Sequence, residues 1–148
     1  PKKYFVENVG CKKMLHIYAS KGCICQCTYC YNPYFSKCVW RQRPPEYYLS
    51  EIKYLVENCG MDGVCFADDL LSPNNANLTE LCTNIIESGI KFIWGGEFRA
   101  DMPTRENLQL MYDSGCRWIY FGIESGSADR QKQIKKQSTT ISKSIKSV

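Results

Sequence analysis

The chain has 148 residues, 44% of them hydrophobic and 23% charged, with a net charge of +4. That length suffices for one domain with a real core, and no uncharged apolar run is long enough to span a membrane as a helix. Ten cysteines without the apolar core of a secretory leader point to a reducing cytoplasm rather than a disulfide scaffold.

Residues 1–12 carry no initiator Met and read as an N-terminal extension, in a chain expected to be an incomplete fragment of a longer protein. Residues 13–20, "KMLHIYAS", are an apolar run suited to a buried strand. Four cysteines follow within eight residues, in "CICQCTYC". Residues 45–58 read as a helix, with Leu49, Ile52, Leu55, Val56 and Cys59 on one face and Gly60 as the stop. Then the pattern recurs: strand 62–69, helix 77–89, strand 91–97, helix 104–115, strand 117–125 and helix 127–136. Asn77 and Glu80 form a candidate capping box, Gly89 a candidate C-terminal cap, and Thr104 opens the third long helix. The tail after 136 reads as the start of a further unit.

Four strands, each followed by a helix, imply an α/β fold with a parallel sheet and right-handed crossovers, barrel-like or doubly wound. Such folds place their sites at the C-terminal ends of the strands. Here those ends carry the cysteines, then Asp68 and Asp69, then Gly95, Gly96, Glu97 and Arg99, then Gly122, Glu124 and Ser125. One face holding four polar clusters makes a single site the economical reading.

Cys23, Cys27 and Cys30 are spaced C-x3-C-x2-C, and Cys25 adds a fourth thiol inside the loop. Structural zinc takes four ligands from two separated knuckles, whereas thiolates in one short loop also suit iron–sulfur clusters. Three thiolates would leave one iron of a cubane open. Each feature has a plainer reading. Cys25 is an incidental small residue; Cys11, Cys38, Cys59, Cys65, Cys82 and Cys116 are core or surface thiols. His16 is a packed or hydrogen-bonded side chain, Asp68 and Asp69 cap a helix, and Glu124 is an ion-pair partner. Trp40, Trp94 and Trp118 are core or pocket walls. From Ser127 onward six Lys/Arg face one acid, Asp129. Without interleaved aromatics this tail is a solvated helix face rather than a nucleic-acid contact.

With "FADD", "WGGEFRAD" and "GCRWIYFGIESGS" at the later strand ends, "CICQCTYC" resembles radical S-adenosylmethionine (SAM) enzymes, in the branch that often carries an upstream cobalamin-binding domain. The resemblance covers residues 13–140, treated as one core domain within 1–148. It implies a partial (β/α) barrel of the TIM-barrel type, with about four βα units and the helices outside. It implies a [4Fe–4S] cluster on Cys23, Cys27 and Cys30, with SAM on the open iron. Reductive cleavage of SAM to a 5′-deoxyadenosyl radical follows, in an oxidoreductase or a cobalamin-dependent methyltransferase, with an electron donor such as flavodoxin or ferredoxin. It further implies that Tyr29 packs on adenine, that Asp68 or Asp69 binds the methionine ammonium, and that Arg99 binds its carboxylate. Glu124 takes the ribose hydroxyls, Gly122 and Gly126 let the backbone come close, and Ser125 is a further cofactor-binding residue. No residue is assigned a catalytic role, and the substrate is not readable. The sequence departs from the pattern at Ile24 and Cys25, where many relatives have Pro and an aromatic. It also carries "GGE" on the third strand instead of the second and about four units instead of six. A non-catalytic zinc or iron–sulfur module is the alternative.

Overall fold

In a computed structural model, which describes residues 6–8 and 10–134, the four anticipated strands form one sheet. They are β2 (Cys11–Ile17), β5 (Gly63–Phe66), β6 (Ile93–Phe98) and β7 (Cys116–Phe121), mutually parallel and adjacent in chain order. In register, His16 stands beside Cys65, Cys65 beside Gly95, and Gly95 beside Trp118. Asp62 locks the start of this register. Its carboxylate accepts from the backbone N–H groups of Lys12 and Lys13 at 3.0 and 2.9 Å, and its carbonyl accepts from Ile93 N–H at 3.1 Å.

The N-terminal extension needs correction. Val6–Asn8 form a fifth strand, β1, antiparallel to β2, and β2 itself begins at Cys11. Between β2 and β5 lies a two-stranded antiparallel ribbon, β3 (Ser20–Lys21) with β4 (Arg41–Gln42), and a short helix, α1 (Asn32–Phe35).

The crossover helices are α2 (Pro45–Cys59), α3 (Asn75–Glu87) and α4 (Arg105–Asp113), followed by α5 (Ala128–Gln133) after β7. Gly60, in the left-handed region at φ 65°, stops α2 and donates to Leu55 O. The cap of α3 is Asn74, whose side chain accepts from Asn77 N–H at 2.9 Å, and not Asn77. Thr104 caps α4 as anticipated, accepting from Asn107 N–H at 3.2 Å. Residues 135–136 of the last anticipated helix lie outside the described residues, as do Lys143 and Lys146 of the basic tail.

Buried residues of α2 (Tyr48, Ile52), α3 (Leu78, Leu81, Cys82, Ile85) and α4 (Met111) join Ile17, Val64, Phe66 and Trp94 in a single core. All three helices therefore cover one face, which selects the barrel-like arrangement over the doubly wound one. Phe66 lies edge-on to Tyr48 and Trp94, at 6.4 and 5.5 Å between ring centres, a geometry that adds to area burial. The opposite, concave face has a small cluster of Cys11, Met14, Cys65 and Trp118. His16, Glu97 and Tyr120 are exposed on the strands of this sheet, so of the two readings of His16, packed or hydrogen-bonded, the packed one does not hold.

Candidate functional site

The loop after β2 turns at Gly22. Its φ is 87°, and a Cβ there would overlap the Val39 carbonyl oxygen, so the turn needs glycine. Beyond it come Cys23, Cys27 and Cys30, all half-buried, and Cys25, which is buried. None of the ten cysteines is in a disulfide. The Cys23 sulfur accepts from Cys25 N–H and the Cys30 sulfur from Asn32 N–H, each at 3.4 Å.

Every other parallel strand reaches this loop from its C-terminal end. After β5, Asp68 is buried and accepts from Ala19 N–H (3.1 Å), Ser20 N–H and Ser20 Oγ (2.6 Å). Burial pushes its carboxyl up to about 6, against these hydrogen bonds. Asp69 is exposed and accepts from Tyr31 OH at 2.8 Å and Gly22 N–H at 3.3 Å. After β6, Arg99 Nη1 donates to Cys25 Sγ at 2.6 Å. Its Nε and Nη2 form a fork on Asp101, at 3.0 and 2.9 Å. Hydrogen bonding from the Cys23 thiol, and then the Arg99 charge, hold Cys25 below the usual thiol range, and the same thiol pairing pushes Cys23 up. After β7, Glu124 adopts φ 66°, rare for a residue with a side chain, and stands with Cys27 close enough to Tyr29 to act on its hydroxyl. Burial, then the Cys27 and Glu124 charges, push the Tyr29 hydroxyl up. Thr28 N–H donates to Ile134 O at 3.2 Å, tying the loop to the end of α5.

Asp68, Asp69, Arg99 and Glu124 thus stand against one loop, in unequal roles. Asp68 is spent on backbone, and Arg99 is already engaged. Ser125 shapes the turn: its N–H donates to Ile123 O at 2.8 Å, and its carbonyl accepts from the buried Gln131 at 2.8 Å. A Cβ at Gly126 would meet nothing within 4 Å. Asp101, Ser20 and Tyr31 also make contacts at the site; all three lie in or beside stretches the sequence singles out, but none carried a signal of its own. Beside the loop opens a cavity of about 680 Å³, lined by Tyr18, Lys21, Tyr31, Phe35, Arg41 and Asp69 among others.

Residues 17–148 match the radical SAM superfamily. The chain belongs to that superfamily. An uncharacterized methyltransferase of Pyrococcus horikoshii is 26% identical over 111 residues, 75% of this chain and 24% of that protein. The anaerobic magnesium-protoporphyrin IX monomethyl ester cyclase of Synechocystis sp. is 32% identical over 142 residues, 94% of this chain and 28% of that protein. The solved radical SAM methyltransferase TsrM from Kitasatospora setae, with cobalamin and a [4Fe–4S] cluster bound, superposes with a TM-score of 0.75 at 16% identity. It covers 86% of this chain and 26% of that one, and the likeness establishes the shared radical SAM fold. The radical SAM chain described here spans about a quarter of the length of these relatives. Among its described residues no helix is long and apolar enough to cross a membrane.

Proposed function

We propose that this chain is the cluster- and SAM-binding core of a radical SAM enzyme, with Cys23, Cys27 and Cys30 holding a [4Fe–4S] cluster. The observation that carries the reading is the convergence of all three later strand ends on the loop bearing these thiols. The donor set fits: three part-exposed thiols come from one short loop, and backbone N–H groups are aimed at two of the sulfurs, contacts of the kind that tune cluster potential. Among the described residues no three such side chains close around a single ion. The thiolates of a cubane sit on separate irons, so the spread of the loop is compatible with one. When bound, the cluster supplies one electron to SAM, whose C–S bond breaks to give methionine and a 5′-deoxyadenosyl radical.

The chain's own residues hold and orient. Asp68 fixes the entry to the loop through Ala19 and Ser20, which leaves Asp69, exposed at the loop, as the carboxylate for the methionine ammonium. Arg99 keeps the loop against β6 through Cys25 and stands within reach of a carboxylate only if it gives up part of its fork on Asp101. Tyr29 and Glu124 form the wall for the adenosyl end. The whole protein's reaction follows the relatives' names toward methyl transfer or ring formation. Cobalamin, bound in TsrM, would come from a domain outside this sequence, and an electron donor such as flavodoxin or ferredoxin would reduce the cluster.

Anaerobic reconstitution with iron and sulfide tests the reading. Visible thiolate-to-iron absorbance should appear, and SAM should alter the EPR signal of the reduced cluster. Stoichiometric zinc uptake with no such response would favour the non-catalytic alternative.

A further inference from the structure

The cavity beside the cysteine loop carries more positive charge than its own side chains answer. In the β3–β4 ribbon Lys21 stands directly opposite Arg41. Residues so placed put their side chains on one face with Cβ atoms about 5 Å apart, where like charges repel. Both are exposed. The contact recorded for Lys21 Nζ is the ring of Phe35, 6.0 Å from its centre. Among the described residues the ion pairs recorded are Arg43–Glu51 and Arg99–Asp101, so neither Lys21 nor Arg41 is neutralised. Asp69, on the wall shared with the cysteine loop, accepts from Tyr31 OH and Gly22 N–H and is recorded in no ion pair with Lys21 or Arg41. A ribbon of two residue pairs that sets like charges in one of them is relieved by an anion between them. The other walls include Arg43, which is paired with Glu51, and three aromatic rings, Tyr18, Tyr31 and Phe35, which are 57, 63 and 68% exposed. Flat rings beside cations recognise an oxyanion carried on a planar, apolar group.

We propose that this cavity binds a ring-bearing oxyanion, a phosphate ester or a carboxylate, with Lys21 and Arg41 on the charged group and Phe35 and Tyr31 on the ring. The cavity shares Asp69 with the SAM assignment above, but its cationic side, Lys21 and Arg41, is not assigned to SAM. That molecule carries one carboxylate against an ammonium and a sulfonium, and its net positive charge is repelled by the same pair. The inference rests on the reading above only for the cavity's place beside the cluster loop; binding itself requires neither cluster nor SAM.

Calorimetry on the full chain at low salt, with phenyl phosphate, benzoate and inorganic phosphate as probes, tests it. At least one ring-bearing acid should bind about fivefold more tightly than inorganic phosphate, and the tighter of the two identifies the charged group. Lys21→Glu should weaken that binding at least tenfold (charge-assisted contacts at 1.4 kcal/mol per tenfold). The same variant should raise the melting temperature, because the cross-strand pair becomes Glu opposite Arg. Phe35→Ala should erase the advantage of the ring and leave inorganic phosphate unaffected. Absence of binding by both acids, unchanged affinity in Lys21→Glu, or displacement of the probe by SAM would overturn the proposal. Cluster uptake on reconstitution should be equal in wild type and Lys21→Glu. A wild-type chain that binds the probe but takes up no cluster would sink the proposed cluster-binding role and leave this site standing.

Discussion

Cys25 lies two residues from one presumed ligand and two from another, yet its partner is a guanidinium held by a carboxylate. A thiol engaged in that way is part of the loop's scaffold. Replacing Cys23, Cys27 or Cys30 by Ala should therefore abolish the visible absorbance and iron content of the reconstituted protein, while Cys25→Ala should retain both. Arg99 has the larger structural consequence. Its side chain and that of Asp101 are 17% and 7% exposed, so Arg99→Leu strands a buried carboxylate. The loss should be about 3–5 kcal/mol in urea unfolding. Arg99→Lys should recover only part of it, because an ammonium cannot reproduce the two-point fork. Asp68 makes the stability of the loop depend on pH. Its carboxyl is raised from 3.8 to about 6 in the folded chain by burial, so the unfolded chain releases this proton first. The contribution is complete below about pH 4 and is lost as pH rises through 6, a change of up to about 3 kcal/mol. Denaturation midpoints measured between pH 4 and 7 should fall more steeply in wild type than in Asp68→Asn.

Among the elements, β6 shows most sharply how a strand serves two faces. Trp94 fills the helix side, its Nε1 donating to Ser114 O at 3.1 Å. On the concave side Gly95 has no side chain because the indole of Trp118, from β7, lies flat where a Cβ would be. Gly95→Ala should lift that ring and cost about 1–3 kcal/mol, as overpacking does, with a red shift of tryptophan emission. The βα alternation was legible because runs such as 62–69 and 77–89 are long enough to show a period, and Thr104 and Gly60 behave as their chemistry dictates. Val6–Asn8 and the β3–β4 ribbon were not legible, since strands of two or three residues have no period. Asn74 and Asn77 are chemically equal as caps, and only the path of the preceding loop chose between them. At the site, cysteine spacing was readable because the three proposed ligands share one loop. The bonds from Ala19 to Asp68 and from Arg99 to Cys25 join residues 49 and 74 apart, and local sequence holds no record of such contacts.

At the scale of the molecule, the singly wound sheet puts all the core-forming crossover helices on one side and leaves the strand ends to do the site's work. The contacts that shape the cysteine loop are then ordered by how much chain must already be in place. Ala19 meets Asp68 once β5 has docked, Cys25 meets Arg99 only after β6, and Tyr29 meets Glu124 only after β7. Closing longer loops takes longer and comes later in folding. The loop is therefore expected to acquire its shape after the sheet, unlike a zinc finger, in which the metal seeds the fold. During refolding in excess iron and sulfide, tryptophan fluorescence should recover first, and cluster absorbance should follow at a rate independent of iron concentration. If the proposed cluster is bound, its delivery would then be a maturation step that follows folding of the sheet.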